Sequence, residues 1–198
     1  DRPGVMLADA VGAYVNRYGV VAGRRAVFAT NNDAAYFDAV ALAKAGAQVT
    51  LADLRQHAQL ELLAMAKTAG VEVRLSTTVT NAKGSHRVKT CTLAPYDLSQ
   101  GRVTGAGVTH AVDLVAMSGG WTPTVHLTSH RGIKPTYRAD LCSFVPGGFD
   151  RGHFGAGSMM GTQTFAQAVQ SGWDAAVQAA SGMGKPVTGL CPQAPVQD

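Results

Sequence analysis

Cysteine is scarce in this sequence and scattered. Among 198 residues there are 3 cysteines, Cys91, Cys142 and Cys191. The number is odd, and no CxxC or Cys/His spacing occurs. That argues against a disulfide framework, a redox pair and a structural zinc site, and a reducing cytoplasm is the simplest home. Charged residues are also few, at 15%, and the net charge is +4 with no block of lysines and arginines. Scattered charge of this kind gives no nucleic-acid footprint. No apolar run approaches the roughly 20 residues that a membrane-spanning helix needs. No signal-peptide pattern opens the chain.

Several catalytic signatures are missing as well. There is no GxSxG nucleophile elbow and no GxxxxGK[ST] phosphate loop. His126 and His130 are four apart, as metal ligands on a helix can be, but no HExxH pattern surrounds them. No cluster of paired carboxylates stands out, so the sequence assigns no catalytic residue and no metal.

What the sequence does contain is 46% hydrophobic residues and 23 glycines, the balance of a turn-rich globular α/β protein. The rest is organised around Arg25 to Arg55. Ala26 to Ala29 is an apolar run suited to a buried parallel strand. Thr30-Asn31-Asn32-Asp33 is a polar turn, with Asn and Asp as N-cap candidates. Ala34 to Ala45 carries Phe37, Val40, Ala41 and Ala45 at helical spacing, and Gly46 stops that helix. Gln48 to Ala52 predicts a second strand, with Asp53 at its carboxyl end.

Strand, turn, helix and strand, followed by an acid, form half of a dinucleotide-binding unit. Such a unit uses glycines in the first turn to admit a pyrophosphate, and an acid about 20 residues on to take the ribose hydroxyls. Here the acid is present, but the three glycine positions are Thr30, Asn32 and Ala35. The architecture is therefore plainer than the ligand. Asp53 is equally suited to capping a turn with Arg55.

Around this centre, Leu7 to Tyr18 predicts a helix with Leu7, Val11, Tyr14, Val15 and Tyr18 on one side. Ala58 to Ala69 predicts another, with Leu60, Leu63 and Ala64 inward and Lys67 outward. Val71 to Leu75 is a third strand, which completes β-α-β-α-β with right-handed crossovers. Thr77 to Asn81, His86 to Leu93 and Gly101 to His110 then read as a three-stranded antiparallel meander. Asp113 to Met117 is a further buried strand, leading into Ser118-Gly119-Gly120-Trp121-Thr122-Pro123. Thr124 to Arg138 is irregular, with a short helix around Val125 to Ser129. His153 to Ala156 predicts a short strand, and Thr162 to Ala180 a long helix. The tail from residue 183 carries no pattern and is expected to be mobile.

This order resembles that of two-dinucleotide-binding-domain flavoproteins. The fold class expected is α/β: a Rossmann-like three-layer unit with a parallel sheet plus a three-stranded antiparallel meander, as in their second nucleotide domain. More narrowly, DRPGVMLADA, VNRYGVVAGRRAVFATNNDAAY, SGGWTPTVHL and FVPGG resemble the alpha subunits of heterotetrameric sarcosine oxidases, from about Asp1 to Ala180. The family's own turn is likewise asparagine-rich. The resemblance implies a Rossmann-like domain over 20–123, with 1–19 and 124–182 belonging to a flanking FAD/NAD-type domain.

The resemblance further implies a part in the oxidative demethylation of sarcosine to glycine. In that family NAD is held by the alpha subunit, FMN lies near its boundary with the beta subunit, and FAD is in the beta subunit. The partners implied are the beta and other subunits of the heterotetramer, with neither nucleic acid nor membrane. This chain shows neither the family's first glycine-rich βαβ unit nor its folate-type domain, so the isolated polypeptide is expected to be inactive. The cofactor-contact candidates are Gly155, Gly157, Ser158 and Met159 ahead of the long helix, and Thr30, Asn31, Asn32 and Asp53 in the first unit. A helix preceded by glycines offers free amides to an anion. Two other readings stay open, a non-catalytic degenerate Rossmann scaffold and the large subunit of a related amine or opine dehydrogenase.

Overall fold

The computed structural model describes residues 2–194. It divides into two compact units, one ending at Gly120 and the other beginning at Trp121.

In the first unit five parallel strands make one sheet. They are β1 (Val5–Leu7), β2 (Arg25–Thr30), β3 (Gln48–Asp53), β4 (Glu72–Arg74) and, last in sequence, β9 (Leu114–Ser118). Their order is β1-β9-β2-β3-β4. Three helices cross between them: α1 (Ala8–Tyr18), α2 (Ala34–Lys44) and α3 (Leu60–Thr68). The remaining strands, β5 (Thr77–Lys83), β6 (Thr90–Asp97), β7 (Arg102–Val103) and β8 (Val108–Ala111), form an antiparallel sheet.

The layers follow from side-chain alternation along each central strand. Ala26 and Phe28 of β2, Val49 and Leu51 of β3, and Leu114 and Ala116 of β9 face a core shared with the helices. Their neighbours Val27, Ala52 and Val115 face a second core, with Val88, Cys91, Leu93 and Val112. A strand buried on both faces reads as a continuous apolar run, and β2 does so. The expected three-layer arrangement of helices, parallel sheet and meander is therefore present.

Some details differ from the sequence reading. Val5–Leu7 is a strand, because β1 pairs in parallel with β9 through Val5↔Val115. Residues 5–18, which were grouped with a flanking domain, thus form an edge strand and a helix of this sheet. The helix faces are rotated. α2 buries Ala35, Tyr36, Ala39, Val40 and Leu42, while Phe37 is exposed. α3 buries Leu62 and Ala66, while Leu60 and Ala64 are exposed. Alanine-rich helices offer apolar side chains on every side, so the packing partner decides which face turns inward.

The parallel sheet passes to the meander at a tight corner. Ser76 takes φ +47, a left-handed conformation that is uncommon for serine. Its N–H donates to the carbonyl of Arg55 at 2.9 Å, and its carbonyl accepts from Tyr96 at 2.8 Å.

The second unit contains α4 (His126–Ser129), the antiparallel pair β10 (Thr136–Arg138) and β11 (Ser143–Val145), a 3-10 turn at Gly157–Met160, and α5 (Phe165–Gly182). α5 begins after Thr164. The Thr164 hydroxyl accepts from Gln167 N at 3.2 Å, and the Gln167 side chain accepts from Thr164 N at 3.3 Å. This reciprocal cap sets the start of the helix. The strand expected at His153 to Ala156 is absent: the segment runs as coil into the 3-10 turn. It pairs with none of the described strands. No helix or strand occurs from Met183 to Ala194, and the last four residues of the expected mobile tail lie outside the described residues. Among the described residues no helix is long and apolar enough to cross a membrane.

Candidate functional site

In an open parallel sheet the ligand crevice lies at the carboxyl ends of the strands, where the connections diverge. Here that point is β2, with β3 on one side and β9 on the other. The fold brings Thr30, Asn31, Asn32 and Asp53 together there. Thr30 ends β2, Asp53 ends β3, and the register pairs these two residues. Thr30 is also opposite Ser118 of β9.

The turn after β2 is held by its own polar atoms. Thr30 Oγ1 donates to the Asn32 carbonyl at 3.0 Å and accepts from Asn32 N at 3.1 Å. Asn32 Oδ1 accepts from Ala34 N at 3.2 Å, which caps α2. Asn32 Nδ2 donates to the Ser118 carbonyl at 3.1 Å and to Ser118 Oγ at 3.0 Å. Asn31 Nδ2 donates to the Gly119 carbonyl at 3.1 Å. Two asparagine side chains therefore bridge the ends of β2 and β9. Asp33, the other cap candidate, makes no capping bond.

Asp53 is fully buried, at 0% exposure. A buried carboxylate needs partners, and it has several. Arg55 donates to Oδ1 from its backbone N at 2.9 Å and from Nε at 3.1 Å. Arg55 also approaches Oδ2 from Nη2 at 2.8 Å and from Nε at 3.2 Å, and Tyr36 Oη donates to Oδ2 at 2.9 Å. The other end of the guanidinium reaches Asp33 Oδ1 at 2.8 Å, and Gln59 Nε2 donates to Asp33 Oδ2 at 3.1 Å. Burial, followed by the Asp53 carboxylate, pushes the Tyr36 phenol well above the ordinary tyrosine range. The hydrogen bond to Asp53 raises Arg55 further above its usual value, so it stays charged.

The sequence reading paired Asp53 with Arg55 but did not find Tyr36. Tyr36 sits among alanines, and only its spacing of 17 residues from Asp53, across one helix and one strand, marks it as a partner.

Gly155, Gly157, Ser158 and Met159 lie in the second unit. Gly157 has φ +71, and its N–H donates to Ser171 Oγ at 3.0 Å. Ser158 lines a cavity of about 470 Å³ with Trp121, Thr122, Pro123, Thr124, Thr162 and Gln163. The hydroxyl of Thr162 in that wall is buried without a hydrogen-bond partner, alone among the described side chains. Met159 lines a smaller, mainly apolar cavity of about 150 Å³, with Phe149, His153 and Phe154. His130 Nδ1 is 2.9 Å from the carbonyl of His126, which leaves that nitrogen a donor rather than a metal ligand. Among the described residues no group of three or more His, Cys, Asp or Glu could hold a metal ion.

The fold defines a class. Thioredoxin reductase from T. acidophilum superposes with a TM-score of 0.64 at 18% identity, covering 92% of this chain and 59% of that one. The chain thus shares a Rossmann-like α/β fold with that structure, as the sequence led one to expect. No family model matches the sequence. In sequence the chain is nevertheless a relative of sarcosine oxidase alpha subunits. It is 34% identical over 194 residues to that of Corynebacterium sp. (strain P-1), covering 98% of this chain and 20% of the relative. It is 35% identical over 173 residues to that of Rhizobium meliloti (strain 1021), covering 87% and 16%. The chain therefore spans about a fifth of the length of the curated relatives it matches.

Proposed function

We propose that this chain is the counterpart of one segment of a sarcosine oxidase alpha subunit, supporting oxidative demethylation of sarcosine to glycine by a multi-subunit flavoenzyme. The observation that carries this reading is 34% identity maintained over 98% of the chain. The oxidation of the substrate belongs to flavin held with partner subunits, and the alpha subunit holds a dinucleotide, NAD. The nucleotide-type domain is the first unit, with β1 and α1 included and its end at Gly120, and the residues from Trp121 to Gly182 belong to its flanking partner domain. The protein works in the cytoplasm.

The dinucleotide contacts fall on Gly155, Gly157, Ser158 and Met159. The fit there is chemical. Ser158 and Thr162 both line a cavity of about 470 Å³, so the wall carries two hydroxyl-bearing residues of the kind that meet a phosphate or a ribose hydroxyl. When bound, the dinucleotide and flavin supply the electron acceptor. The residues of this chain bind and orient, and none is assigned a proton-transfer step.

The test compares two preparations. The assembled complex is expected to reduce an electron acceptor in the presence of sarcosine, and the purified 198-residue chain is expected not to. Turnover by the chain alone overturns the reading, as does a complex that oxidises another amine and leaves sarcosine untouched. A second reading, a scaffold acting through protein contacts alone, is favoured by the internally bonded turn at Asn31 and Asn32. It expects no nucleotide in the complex.

A further inference from the structure

We propose that the switch-point crevice of the first unit is closed to dinucleotides because the chain's own side chains make the contacts a ligand would make. Asn32 replaces the phosphate and Arg55 replaces the ribose diol. The first replacement is at the start of α2. A phosphate at a helix N-terminus accepts from the first free amides. Ala34 N instead donates to Asn32 Oδ1 at 3.2 Å. The same carboxamide is pinned on its other side by Ser118, through both the carbonyl and Oγ. Asn31 adds a third tie, to the Gly119 carbonyl. The gap between β2 and β9, where a pyrophosphate would approach bare backbone, is crossed by side chains.

The second replacement is at the end of β3. A carboxylate offers about four acceptor positions. Those of Asp53 are taken by the backbone N, Nε and Nη2 of Arg55 and by Tyr36 Oη. With 0% exposure, no oxygen is left for a ribose hydroxyl. A ligand would have to displace a charged fork that is also bonded to Asp33. It would also disturb the Ser76 corner, whose N–H is bonded to the Arg55 carbonyl. The crevice is therefore a junction. It joins β2, β3, β9 and the start of the meander through contacts that in a nucleotide-binding unit belong to the cofactor.

The experiment is amide hydrogen exchange on the whole chain, with and without millimolar NADH, NADPH or ADP. The proposal expects residues 30–36 and 53–55 to exchange at the same rate in every case, including when residues 155–163 become protected. Slowed exchange at 30–36 on addition of any of the three overturns it. Asn32→Gly is expected to speed exchange at 32–36 by about tenfold, as a local tie is lost, and to leave any nucleotide affinity unreduced. If Asn32→Gly or Asp53→Asn, still folded by circular dichroism, abolishes nucleotide binding by calorimetry, those residues are ligands and the proposal fails. Protection at 155–163 reports separately on the second unit, so the two readings stand or fall independently.

Discussion

Gly12 of α1 and Asp38 of α2 meet where these two helices pack: a Cβ at position 12 would fall 1.9 Å from Asp38 Oδ1 and 2.8 Å from its Cγ. Glycine inside a helix costs about 1 kcal/mol relative to alanine. Its place here is explained by the carboxylate it admits. Gly12→Ala is expected to lower stability by about 1–2 kcal/mol, since the overpacking term exceeds the propensity gain. In an Asp38→Ala background the same change is expected to raise stability by up to ~1 kcal/mol. A double-mutant cycle measured by urea unfolding checks this coupling, and strictly additive effects would exclude it.

Asp38 also makes stability depend on pH. Its carboxyl is pushed up to about 6, first by burial between the helices and then by the like charge of Asp9. An acid whose folded value lies above its unfolded one binds its proton more tightly in the folded state. The native state therefore gains stability as pH falls from above 6 toward the ordinary carboxylate range, and the unfavourable charge is fully felt at neutral pH. Asp38→Asn is expected to raise stability at pH 7 by about 1–2 kcal/mol after allowance for solvent screening. It should have little effect near pH 4. The difference in urea midpoint between the two proteins, followed from pH 8 to 4, tests this. A difference that grows toward acid is the contrary result.

The layers were legible in sequence because each central strand is a short apolar run bounded by polar turns, and because β-branched alternation marks the meander. Asp53 was found for the same reason, as an acid at a strand end. Helix faces were less legible. In α2 the sequence AAYFDAVALAK has apolar residues all round, so spacing alone placed Phe37 inward, whereas the sheet selects Tyr36. The strand Val5–Leu7 was missed because it exists only through pairing with β9, more than a hundred residues away. The network around Asp53 needs three elements at once, α2, β3 and the loop after β3, and no local pattern encodes that meeting.

Arg55 holds that network together. Arg55→Met would leave the buried Asp53 carboxylate with only Tyr36 Oη and the backbone N–H of residue 55 as partners and no opposite charge, and it is expected to cost roughly 3 kcal/mol. Arg55→Lys keeps the charge but loses the planar fork to Asp53 and the reach to Asp33, so a loss of about 1–2 kcal/mol is expected. Thermal or urea unfolding of the two variants gives the ranking. If methionine were tolerated as well as lysine, the fork would be a surface pair of little weight, contrary to the full burial of its carboxylate.

Cys91 reports on the packing of the two sheets. Its side chain belongs to the core between the parallel sheet and the meander, and it is fully buried. Burial pushes its thiol up to about 11, so at neutral pH it is both shielded and protonated. Cys142 is exposed, and Cys191 is partly so. In a Cys142→Ser, Cys191→Ser variant, a thiol reagent at pH 7 is expected to leave Cys91 unmodified until urea unfolds the first unit. Labelling should then follow the same midpoint as circular dichroism. Rapid modification in the absence of urea would mean that the meander opens from the parallel sheet in the native state. Modification well below the unfolding midpoint would instead identify the meander as a separately opening unit, with the Ser76 corner as its hinge.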